Sequence, residues 1–452
     1  MRILGALAVA SIVAVALVQE PARGPFGLSR VATASGKPVA AEAFGTVDDC
    51  SVCHARQVEE FEGSLHSVSH HDTLYRAFAE LARRQAGEEV YAYCSGCHAP
   101  ASVVSGLVPG TKEGELPDNV KAGVQCDICH QVSALGHAAS PFGEPGNGSL
   151  VFDPGRAKAS IRAALKANPA HEGRHAPFLE SAEFCAACHT VIHPLNGLRI
   201  EHTYDEWKRS VYAEKGIVCQ DCHMRSVEDA TTVARTLKRV EVIGRTSEMS
   251  SEERAIHPHR FVGGNVDAER VGGGAQHAAE AEARLKSAAE LAIEVGPRTS
   301  ADVLEFEVAV TNIGAGHALP TSLTELREMW VHVRVVDEQG AVMFESGALD
   351  EHGELARDAF RFGARLLDAQ GRETYKPWEA HSFGWRRTIA PKGTERERFR
   401  VDWKSAKRAN IEVELAYRIA PPHVVREVMG EAAFVPRSVA MAKSSARVER
   451  AP

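Results

Sequence analysis

The chain has 452 residues, 44% of them hydrophobic and 25% charged, with a formal net charge of −8. That length suits two or three domains, and the balance is that of a globular protein, not a disordered or fibrous one. The acidic excess argues against nucleic acid as a partner. The unusual feature is the number of metal-binding side chains, with 10 cysteines and 21 histidines.

At the N-terminus Arg2 precedes an apolar run from Ile3 to Val18, and the chain turns polar at Gln19-Glu20-Pro21. Residues 1–20 read as a secretory signal, since the run is short for a membrane span. An uncleaved anchor is the alternative, and only then would the chain contact a membrane. Residues 21–46, rich in Ala, Gly and Pro without periodicity, read as a mobile leader.

Next comes a unit, Cys-x-x-Cys-His, that occurs five times and uses every cysteine. The copies are Cys50, Cys53 and His54; Cys94, Cys97 and His98; Cys126, Cys129 and His130; Cys185, Cys188 and His189; and Cys219, Cys222 and His223. Two thiols at this spacing reach the two vinyl groups of a haem from one helical turn, and the following histidine lies beneath the iron as proximal ligand. Zinc ribbons and thioredoxin-like sites also use Cys-x-x-Cys, but neither requires histidine immediately after every second cysteine. The spacing therefore predicts five covalently attached haem c groups. Bacteria attach such haems outside the cytoplasmic membrane, so motifs and signal agree on a periplasmic or otherwise exported protein.

Between and after the motifs lie candidate distal ligands. Gln57–Arg84 carries a helical pattern with Phe61, Leu65, Leu74, Phe78 and Leu81 on its apolar face, and His66 projects from it. Residues 131–155 are loop-like and hold His137. A short helix is expected over Arg156–Lys166, followed by His171 and His175. Thr203–Ser210 (TYDEWKRS) reads as a helix start, with Thr203 and Glu206 spaced as a capping box. His259 follows in His257-Pro258-His259, and Gly263–Gly274 reads as a linker before an amphipathic helix at Ala278–Leu291. From Val303 cysteine is absent and strand-like alternation appears at 303–311, 329–336, 342–345, 397–403 and 411–419. One loop interrupts it, Asn312–Thr321, where Gly314 and Gly316 permit close backbone approach and His317 sits at the tip. The distal set expected is His66, His137, His175, His259 and His317, with His193 and His202 as substitutes.

The fold class expected is α+β and multidomain. A loop-rich, mostly α-helical pentahaem c-type cytochrome domain at 47–262 leads through a Gly-rich linker and helix at 263–292 to an antiparallel β-sandwich at 293–425, with a C-terminal tail at 426–452.

CSVCHARQVEEFEGSLH, with Phe61, Ser64 and His66, resembles the cytochrome c-554 family of multihaem cytochromes, as do GVQCDICH and EFCAACH. The wider set sharing that core shows TYxEWxxS, GIxCQxCHM and a β-domain loop like GAGHxLPTG. Gly314–Thr321 matches this loop, although Ser322 stands where glycine is usual. The resemblance spans roughly residues 48–225 and 257–420 and implies electron transfer through closely stacked haems, most with two histidine ligands. The expected function is an exported electron carrier exchanging with redox proteins, either other cytochromes or a quinol-linked membrane complex, as a monomer or an oligomer. The alternative is a multihaem oxidoreductase with one open haem acting on a small nitrogen or sulfur compound. The pentahaem nitrite reductases are disfavoured because no motif here ends in lysine.

Overall fold

The computed structural model describes residues 24–450 except 140–142, 163–167, 169, 297–298 and 301. The signal expected at 1–20 lies outside the described residues. Residues 24–46 are not the mobile leader that composition suggests. Val31 and Phe44 are buried among Ala92, Val104, Ile128 and Phe152, and Ala32–Thr33 pairs in parallel with Val151–Phe152. Asp127, itself buried, holds this segment by accepting from the Gly45 amide at 2.7 Å, and it also pairs with Lys158 at 2.7 Å.

The first half is a set of short helices wrapped around the haem motifs. The helix Val47–Phe61 starts at a reciprocal Thr46–Asp49 capping box, with the first motif on its second turn. The pattern expected over Gln57–Arg84 is broken at Gly63, which has φ +80° and lies so close to Gly274 that a Cβ would stand 3.0 Å from its Cα. The chain becomes helical again at Thr73–Ala86 because Asp72 accepts from the Leu74 and Tyr75 amides, both at 2.9 Å. Glu88–His98 carries the second motif. Where a helix was expected over 156–166, Ala157–Ser160 is a strand paired in parallel with Glu172–His175, and 163–167 lie outside the described residues.

The linker expected at Gly263–Gly274 is well packed, with Val266, Ala268 and Val271 buried and the Gly274 amide donating to the Gly63 carbonyl at 2.8 Å. The helix Ala275–Ala288 then runs straight into the strand Ala289–Val295.

The C-terminal half holds two antiparallel sheets. A three-stranded sheet has Val303–Asn312 between Ala289–Val295 and Thr394–Asp402. A seven-stranded sheet is centred on Glu328–Asp337 paired with Arg408–Arg418. Phe306, Val308, Val331, Val333, Ile411, Val413 and Trp403 belong to one buried cluster, so the two sheets share a core. The residues expected to form a C-terminal tail include the strand Val439–Glu449, paired along Arg408–Arg418. Apolar residues thus fill the second half, whereas the first half surrounds a cavity.

Candidate haem sites

That cavity is continuous, about 2060 Å³ in volume, and all ten motif cysteines and all five motif histidines line it. Four motifs are helical through their histidine, and the fourth reaches His189 by a turn that follows the helix Ala182–Ala186. Four proximal rings donate through Nδ1 to a backbone carbonyl: His54 to Thr246 at 2.5 Å, His98 to Ser69 at 3.2 Å, His130 to Ala159 at 2.8 Å and His223 to Val262 at 2.8 Å. Such a bond fixes the tautomer and leaves Nε2 free to face the cavity.

Four of the five proximal rings face a second histidine. Ring centres are 6.2 Å apart for His54 and His171, 6.3 Å for His130 and His259, 6.1 Å for His189 and His66, and 6.1 Å for His223 and His317. Two imidazoles ligating one metal from opposite sides, each at about 2 Å, place their ring centres about 6 Å apart. The donor set and spacing therefore fit a six-coordinate haem iron at each pair. Burial holds His66, His259 and His223 down to about 3, so these rings are neutral and their lone pairs are available to a metal.

His98 is different. Tyr75 stacks on it with ring centres 3.8 Å apart and planes 6° from parallel, which leaves no room for an iron between the rings. Among the described residues no histidine faces His98 at the spacing of the other pairs. An iron on His98 would displace the tyrosine ring and have the phenol, not an imidazole, as its neighbour. Burial pushes His98 down to about 4 and raises the Tyr75 phenol well above its ordinary value.

The expected distal residues separate accordingly. His66, His259 and His317 each face a proximal ring. His175 does not: it is exposed at the end of its strand, and His171 takes the place opposite His54. His171 is set by a turn in which its amide donates to Asn168 Oδ1 at 2.9 Å. His137, in a 3-10 turn at His137–Ala139, faces no proximal ring and does not line the cavity. Of the substitutes, His193 lines the cavity but has Nε2 at 3.2 Å from the Trp378 carbonyl, and His202 packs against Phe383.

The β-region reaches the site through the loop that carries His317. The expected capping box at Thr203 does not form. Glu206 instead accepts from the Thr321 hydroxyl at 2.6 Å and the Ala318 amide at 3.2 Å, and Thr203 shares a 2.9 Å hydroxyl contact with Thr321. The helix Thr203–Lys208 is therefore a clamp on the His317 loop. Trp207 and Tyr212 pack in the apolar shell next to it.

Contacts between motifs define a branched path. Cysteines of different motifs lie side by side at Cys50 and Cys126, Cys97 and Cys188, and Cys185 and Cys219. Cys129 lies within electrostatic reach of Cys185 and Cys188. The fourth motif therefore neighbours the second, third and fifth, and the first joins through the third.

Clustered Cys-x-x-Cys-His helices, a shared cavity and histidines paired across it define a multihaem c-type cytochrome with covalently bound haem c. Residues 49–131, which span the first three motifs, match the family model described as cytochrome c554 and c-prime. The crystal structure of a penta-haem cytochrome c552 from Thermochromatium tepidum has the same fold at TM-score 0.61 and 17% identity, covering 90% of this chain and 99% of that one. A second solved structure, a structural-genomics target, reaches TM-score 0.16 at 11% identity over 36% of this chain and 84% of its own, and carries no argument. No curated protein matches. Over its first three motifs the chain is thus similar to the cytochrome c554 family, and over most of its length it shares the fold of a penta-haem cytochrome.

Proposed function

We propose that the protein is an exported electron carrier holding five haem c groups. The observation that carries this reading is the set of four histidine pairs, 6.1–6.3 Å apart, opening on one cavity. When bound, each haem supplies a one-electron ferric–ferrous couple. The chain's part is to hold both axial imidazoles in place, so that coordination does not change with oxidation state. His54, His98, His130, His189 and His223 serve as proximal ligands, and His171, His259, His66 and His317 as the distal ligands of all but the second site. Other cytochromes or a quinol-linked membrane complex are the partners this role calls for.

A second reading is favoured by Tyr75, which stands where the other four sites have histidine. An iron held by His98 alone could bind a small nitrogen or sulfur compound, which would make the protein a haem-dependent oxidoreductase fed by its own electron path. Electron paramagnetic resonance on the oxidised holoprotein tests both. Low-spin signals integrating to four irons in five support the carrier, and mostly high-spin iron refutes it. A high-spin fifth iron that changes on adding nitric oxide or hydroxylamine favours the second reading, and a fifth iron that is low-spin and inert removes it.

A further inference from the structure

His189, at the branch of the haem path, differs from the other four proximal histidines. Their Nδ1 atoms meet backbone carbonyls at 2.5–3.2 Å. Beside His189 Nδ1 stands the carboxylate of Glu201, at 4.0 Å. Glu201 is 4% exposed, and its Oε1 accepts from the Thr203 hydroxyl at 3.3 Å. Its backbone amide donates to the Val191 carbonyl at 3.1 Å, so the residue is anchored at both ends. Burial raises the Glu201 carboxyl above its ordinary value, and the His189 ring, the Ser322 and Thr203 hydroxyls and the Arg327 guanidinium oppose that by favouring the charged form.

A carboxylate behind a metal-bound imidazole raises the basicity of that ligand and stabilises the more positive metal state. A carbonyl dipole does this more weakly than a full charge. Glu201 therefore acts on the fourth site in a way the other sites lack, from a side chain that is itself buried. We propose that Glu201 is a positioning and electrostatic partner of His189 that makes the fourth haem the lowest-potential bis-histidine site. An electron reaching this branch then moves on to one of its neighbours and is not held there. Haem 4 becomes a relay that distributes electrons, and storage falls to the other sites.

The inference rests on the carrier reading for the presence of the haems, and the two fail in different ways. The carrier reading fails if reduced holoprotein does not deliver electrons to an oxidised soluble cytochrome. The role of Glu201 is read in potentials, from a redox titration of the holoprotein at fixed pH followed by absorbance and electron paramagnetic resonance. In Glu201→Gln, which keeps the side-chain shape and the contact with Thr203, one haem of five is expected to shift at least tenfold toward ferrous at a given potential, about 59 mV for a one-electron couple. Haem content and the other four potentials stay as in the native protein. Five unchanged potentials, or a uniform shift of all five, overturns the proposal. The native protein gives a second test that needs no stable Gln variant. Its fourth haem, identified by the low-spin signal that His66→Ala removes, must titrate lowest of the four bis-histidine sites, and any other position in that order overturns the proposal.

Discussion

Gly314 offers a sharp test of how the β-region closes the fifth haem site. A Cβ at this position would overlap the Ser287 carbonyl oxygen and lie 2.8 Å from Ala288 Cα, both backbone atoms that cannot rotate away. The Ile313 and Gly314 amides each donate to the Ala288 carbonyl at 3.0 Å, so moving the loop to relieve the clash breaks those bonds as well. Overpacking of this kind costs about 1–3 kcal/mol, and each lost backbone bond adds about 1 kcal/mol. The strain falls on the turn that places His317 over His223. In Gly314→Ala the expected outcome is a stability loss of about 3–5 kcal/mol by denaturant titration and conversion of one low-spin haem to high spin. Gly316→Ala is the control, because its Cβ would meet the Tyr212 ring at 3.4 Å, an ordinary contact. A Gly314→Ala holoprotein with native stability and an unaltered low-spin count would refute this account of the loop.

Other outcomes follow from particular residues. His171→Ala should produce one high-spin haem, whereas His175→Ala should leave the spectrum native; the reverse result would reinstate His175 as the ligand. Glu325 has both carboxylate oxygens buried without a hydrogen-bond partner, and burial lifts it from 4.5 to about 8. The folded state therefore keeps a proton that the unfolded state releases, so this contribution to stability is full below about pH 4.5 and is lost as pH rises through 8. Glu325→Gln should flatten that decline in denaturant midpoints between pH 5 and 8, and an unchanged slope would count against it. Asp127→Asn should cost about 2–3 kcal/mol through weakened charge-assisted bonds to Lys158 and Gly45 and should speed proteolysis within residues 24–46. Equal cleavage rates would mean that the segment is held by its apolar contacts alone.

Some of this architecture could be read from the sequence because it is local. The five motifs are contiguous, so covalent haem attachment follows from spacing without any knowledge of the fold. His66 follows its motif on a helical pattern, and His317 is marked by flanking glycines whose closeness to other backbone the structure displays. The choice between His171 and His175 was hidden, since the strand Ala157–Ser160, where a helix was expected, pairs with Glu172–His175 and a turn at Asn168 sets His171. Glu206 shows the same limit: the capping-box spacing was present, but a tertiary partner, Thr321, claimed the carboxylate. Tyr75 gave no signal because it resembles any aromatic on an apolar helix face. Glu201 is similar, a lone acid whose meaning depends on the ring it faces. The strand Val439–Glu449 was missed because its outward residues are small or polar and dilute the alternation.

The pairing of histidines across the cavity also bears on how the molecule is made. His54, His130 and His223 face partners later in the chain, at His171, His259 and His317, and His189 faces His66, which precedes it. A chain emerging N-terminus first can therefore close the fourth site as soon as its own motif appears. The first and third must wait for a long downstream stretch, and closing such long loops is slow relative to local folding. The fifth waits for the β-region itself. Maturation then has a built-in clock: partly made chains carry haems with one face exposed, and the last face is covered only when Asn312–Thr321 folds against the helix Thr203–Lys208. A protein truncated before His317 would keep every attachment cysteine and still never finish closing its fifth site.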